Sequence, residues 1–108
     1  MPHGNFDSPM TISSSGDSVE ACGPLIWDGA TTITIEHVEI KQGSADAEKN
    51  PNLQNQAPQE EWMVQDVPCT GPGRFHDGSA KAEATVRVVL QNGTTTTEHW
   101  EEDVQLSH

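Results

Sequence analysis

The stretch that most constrains this chain is residues 80–90, where Ala80, Ala82, Ala84, Val86, Val88 and Leu90 take the even positions and Lys81, Glu83, Thr85 and Arg87 the odd ones. A period of two is that of a strand with one buried face, because successive side chains leave a strand on opposite sides. A helix would spread the same residues around its circumference, so the alanines do not signal one here. Asn92-Gly93 follows directly, a pair suited to the positive φ of tight turns, and residues 94–106 return as the partner strand.

Loop length sets the register of that hairpin. A two-residue turn would put Thr95, Thr97 and His99 on the buried face. A three-residue loop of Gln91, Asn92 and Gly93, with glycine in the left-handed position, instead opposes Leu90 to Thr94, Ala84 to Trp100 and Ala80 to Val104. The second register is predicted, since it buries Trp100 and Val104 and sets a large ring against small alanines.

The remaining apolar pieces are shorter. In residues 31–41, Ile33 and Ile35 share one parity and Val38 and Ile40 the other, so the alternation slips near Glu36 and His37. A β-bulge there restores one core-facing side. Residues 19–22 and 25–27 are read as two pieces parted by a turn at Gly23-Pro24, with a further turn at Asp28-Gly29. Trp62, Val64 and Val67 lead into Cys69, and Gly71-Pro72-Gly73 ends that strand. Residues 1–18 are read as a flexible tail in which Met10 and Ile12 suggest a short edge strand, and residues 43–61 as a long polar loop with only Leu53 to bury.

At 108 residues the chain is sized for one domain, expected over residues 19–108. No segment has a helical period. The expected fold is all-β: a small antiparallel two-sheet sandwich of immunoglobulin-like architecture with six or seven strands. The likeness is one of architecture, for no tryptophan falls at the usual distance after Cys22.

Only 32% of residues are apolar, so the core is small and a cross-link would matter. Cys22 and Cys69 lie 47 positions apart with no C-x-x-C pattern, which leads to the expectation of one disulfide. By loop-closure entropy such a bridge contributes about 4 kcal/mol. The bridge in turn implies a secreted or extracellular setting. The first residues lack the basic start and apolar run of a secretion signal, so any signal is expected to have been removed from the chain.

Seventeen Asp and Glu against five Lys and Arg give a formal charge of -12. Such a charge repels phosphate backbones and anionic lipid surfaces, which argues against nucleic acid and membrane as partners. It favours solubility, or steering toward a basic protein.

Two segments carry the same short pattern: Glu36-His37-Val38-Glu39 and Glu98-His99-Trp100-Glu101. On a strand the histidine and second glutamate of each point to one side, with Val38 and Trp100 toward the core. If the two strands are neighbours, His37, Glu39, His99 and Glu101 form an N2O2 set suited to zinc or a similar divalent ion; ordinary solvated strand faces use the same residue types. Trp27 and Trp62 are candidates for stacking on a sugar. His76-Asp77-Gly78 fits a turn, and no serine lies in a nucleophile elbow, so no catalytic set is assigned.

The expected function is a non-catalytic extracellular binding or interaction module with a protein or carbohydrate ligand. A small metal-dependent protein or enzyme built on the paired histidines and glutamates, and an acidic inhibitor or immunity-type protein for a basic partner, are the alternatives. A divalent metal is the one cofactor considered.

Overall fold

The computed structural model describes residues 3–108, all-β and without helix. Its strands are β1 (His3–Gly4), β2 (Met10–Ile12), β3 (Ser18–Ile26), β4 (Ala30–Gln42), β5 (Ala45–Lys49), β6 (Leu53–Gln56), β7 (Glu61–Pro68), β8 (Gly78–Leu90) and β9 (Thr95–Ser107). They form one mixed, open sheet in the order β1-β3-β2-β9-β8-β4-β5, with β6 also on β4 and β7 also on β3. The sheet curls around one core: Trp62 of β7 lies 6.2 Å from Trp100 of β9, ring centre to ring centre. A single bridge, Ala47 to Cys69, links β5 to the residue that follows β7.

The hairpin has the predicted register. Ala84 opposes Trp100 and Ala80 opposes Val104. Leu90 N–H donates to Thr94 O at 2.8 Å, and Gly93 takes φ 86°, a conformation that a side chain would strain. The bulge is present as well, with the β4–β8 register shifting between Ile35 and His37. Ile33, Ile35, Val38 and Ile40 are consequently all fully buried.

Several expectations are corrected. In place of six or seven strands in an immunoglobulin-like pair of antiparallel sheets, the described residues form nine strands in one mixed, open sheet, with β2 parallel to β9. The expected tail over residues 1–18 contributes β1, β2 and the buried Phe6, Met10 and Ile12; the strand suggested by Met10 and Ile12 is present as β2, between β3 and β9 rather than at an edge, and β1 lies on the far side of β3. No turn interrupts residues 18–26. Val19, Ala21 and Leu25 stay buried in one phase through Gly23, and Pro24 tolerates extended backbone, its carbonyl accepting from Asn5 N–H at 3.4 Å.

The expected loop over residues 43–61 contains β5 and β6, both laid along β4. Its buried residues are Ala45, Ala47 and Asn55, too small or too polar to advertise a strand. Asn55 is held by donating from Nδ2 to Ile33 O at 3.0 Å and accepting from Gln59 Nε2 at 2.8 Å, as a buried amide must be.

The predicted disulfide is absent, and Cys22 and Cys69 are free thiols. Strand register explains why. Cys22 sits opposite Met63, whereas Cys69 follows Pro68, the partner of Ser18, and donates its N–H to Asp17 O. The two are thus displaced along the β3–β7 pair by about 15 Å at ~3.3 Å per residue, far beyond a disulfide's Cα separation of about 6 Å. Burial raises both thiol pKa values, and Asp7 raises that of Cys22 further. The cysteines therefore no longer argue for an oxidising compartment.

Candidate functional site

The outer face of β5, β4, β8 and β9 is built by the same alternation that fills the core. Register aligns its polar residues in rows across the strands. Glu48 opposes Glu39, Glu39 opposes Glu83, and Glu83 opposes Glu101, so four carboxylates cross four strands. One row away run Asp46, Lys41, Lys81 and Asp103. On the other side run His37, Thr85 and His99.

The two E-H-x-E segments are not neighbours. β8 lies between them, placing Thr85 between the histidines and Glu83 between Glu39 and Glu101. Two strand spacings are about 9.6 Å, so His37, Glu39, His99 and Glu101 cannot share one ion. Each segment instead recruits a glutamate from an adjacent strand. His37, Glu39 and Glu48 form one triad, and Glu83, His99 and Glu101 the other, with ligand atoms within 4.8 Å of one another in each.

The first triad is the better supported. His37 Nδ1 is 2.7 Å from Asn50 Oδ1, and its Nε2 is 3.6 Å from Glu48 Oε1. An amide oxygen only accepts, so the ring donates from Nδ1, and Nε2 is the nitrogen that faces Glu48. The Glu39 side chain is 14% exposed. Burial, reinforced by a hydrogen bond to Asp46 and repulsion from it, pushes the Glu39 carboxyl up to about 7 against a slight pull from Lys41. Asp46 Oδ1 is sealed from water without an N–H or O–H donor from the fold. A proton retained on Glu39 supplies Asp46 with a donor, the behaviour of two carboxyls forced together.

The second triad is more open. His99 is 53% and Glu101 45% exposed, and Glu101 is already engaged by Lys81 at 2.8 Å. That ion pair, with a smaller contribution from His99, holds the Glu101 carboxyl below its usual range. No amide or carbonyl backs His99 among the described residues.

The proposed sugar-stacking pair is separated by burial. Trp62 is 1% exposed, edge-on to Phe6 at 5.3 Å, and has no face to offer a ligand. Trp27 is half-buried and donates from Nε1 to Gln59 O at 2.6 Å. Sequence reasoning found four of the six triad residues and missed Glu48 and Glu83. Glu83 lay in a recognised strand but needed the strand order; Glu48 lay in the segment read as loop, although Ala45 and Ala47 alternate with Asp46 and Glu48 as the alanines of β8 do with their polar neighbours.

No protein-family model, no curated protein and no solved structure matches this chain.

Proposed function

We propose that the chain is a non-catalytic binding module that meets a cationic ligand with the outer face of β5, β4, β8 and β9. The row Glu48, Glu39, Glu83 and Glu101 carries this reading. Like charges directly opposite one another on a sheet are destabilising, so folding alone does not account for four in line. Two lysines answer part of the row: Lys41 lies 3.7 Å from Glu39 and Lys81 2.8 Å from Glu101. The rest of the negative field is available to a partner.

Binding is favoured over catalysis by where the capable residues sit. The histidines and carboxylates lie on an open sheet face, with no enclosure to exclude water. The shallow groove lined by Ser8, Ser79, Asp103 and Gln105 holds no histidine, and its serine hydroxyls are occupied by Gln105 at 3.0 Å each.

Titration with spermine as the cationic probe, followed by amide shifts of 15N-labelled protein, tests the reading. Shifts should gather on residues 37–39, 46–48, 83–85 and 99–101 and fade as salt is raised. Shifts spread evenly over the surface, or gathered on β3 and β7, would overturn it.

A further inference from the structure

We propose that His37, Glu39 and Glu48 form a binding site for a divalent transition-metal ion of the zinc type, with His37 Nε2 and one oxygen from each carboxylate as ligands. Solvent completes the coordination shell. The assignment rests on the binding-face reading only in using the same face, whose ligand class it names.

Three observations carry it. The ligand atoms lie within 4.8 Å of one another. Ligands about 2.0–2.1 Å from a zinc ion stand roughly 3–3.5 Å apart, so modest side-chain rotation closes the set. His37 is already oriented, because Asn50 Oδ1 takes the Nδ1 proton at 2.7 Å and turns the Nε2 lone pair toward Glu48 Oε1 at 3.6 Å. An imidazole fixed through its other nitrogen is the usual support of a metal-bound histidine. With the imidazole neutral, Nε2 and the carboxylate oxygen are both acceptors, a pairing that a cation between them suits.

The third observation is Asp46 Oδ1, which is buried and lacks a donor from the fold behind the same carboxylates. An acceptor oxygen held there places a third carboxyl group behind Glu39 and Glu48, on the side away from solvent. An imidazole among carboxylates selects zinc, cobalt, nickel or copper over magnesium and calcium, which prefer oxygen alone. The Glu36 bulge has a part in this geometry: it shifts the phase of β4 so that His37 and Glu39 face outward while Val38 and Ile40 stay in the core.

The second triad does not satisfy the same conditions. Lys81 occupies Glu101, and no amide backs His99 among the described residues. One zinc ion per chain is therefore expected.

Calorimetric titration of zinc chloride into the chelator-stripped full chain tests the assignment. The wild type should bind one zinc with saturable heat, and His99→Ala should bind as tightly. Asn50→Ala should weaken binding roughly 10-fold, and His37→Ala and Glu48→Gln by more. Long-range 1H–15N spectra of the imidazoles should show zinc at Nε2 of His37 with Nδ1 still protonated. His37 and Glu48 are partly exposed, and matching circular dichroism of metal-free variants will show that each folds.

No saturable heat in the wild type, an equal loss in His99→Ala, or zinc at His37 Nδ1 would overturn the site. If zinc fails to bind while spermine still maps to the face, the metal assignment falls and the binding face stands. If spermine also fails to localise, both fall.

Discussion

The same four-residue pattern, E-H-x-E, occurs on β4 and on β9, yet the two copies end in different environments. On β4 the glutamate is desolvated beside Asp46, and the histidine is braced by Asn50. On β9 both groups stand about half in solvent, and a lysine neutralises the glutamate. The motif decides only which side of the strand its residues take. What those residues can do is decided by the next strand over: β5 and the residue after it bring Asp46, Glu48 and Asn50 to one copy, whereas β8 brings Glu83 and Lys81 to the other.

Beneath the copies lie different supports. Val38 is fully buried among aliphatic residues of β4 and β8. Trp100 packs against Trp62 and over Gly4, where a Cβ would come 2.6 Å from the ring. Trp100→Ala should give the largest effect, about 3 kcal/mol of lost stability in denaturant unfolding. That is the lower end for removing a buried large aromatic, because the indole Nε1 is itself buried without an acceptor and its removal recovers part of the loss. Hydrogen exchange should rise along β9 more than along β4 and β5. A cost under about 1 kcal/mol, or equal deprotection of all three strands, would break the distinction between the two supports.

A subtler contrast concerns pH. Glu39 is held near 7 in the fold against an ordinary 4.5, so between those values the folded state carries the extra proton. Stability from this group is then fully present below about 4.5 and is lost as pH rises toward 7. Glu39→Gln keeps a neutral side chain at every pH. In the presence of chelator its stability should match the wild type near pH 4.5 and exceed it increasingly up to pH 7, with a constant gap above. A gap that stayed flat across that window would mean that Asp46 and burial do not hold the proton.

Legibility in the sequence followed side-chain size. The β8–β9 hairpin and its register could be read because thirteen-residue strands alternate with few interruptions and Trp100 has only alanine-sized space opposite it. The Glu36 bulge could be read because isoleucines and valine change parity around it. β5 and β6 could not, since alanines and an asparagine fill their buried positions; β1 is too short to show a period, and β2 showed only as the pair Met10 and Ile12. Cysteine spacing carried no information about register along β3 and β7. The triads were half legible for the same reason: residues on one strand could be placed by parity, but the partners Glu48 and Glu83 depend on strand order.

The smallest effect should come from Lys81→Gln. Lys81 holds the Glu101 carboxyl low, and Glu101 raises the lysine in return. A glutamate depressed in the fold contributes stability above its unfolded value, 4.5, and loses it as pH falls through the lower folded value. That slope is opposite in sign to the slope from Glu39, although the two carboxylates belong to one row. In Lys81→Gln, carboxyl titration by NMR should move Glu101 up toward 4.5 and leave Glu39 near 7. Stability at neutral pH should hardly change, since an exposed ion pair is worth little. If Glu39 moved as well, the four carboxylates would be titrating as one coupled group, and the two triads could no longer be treated as separate sites.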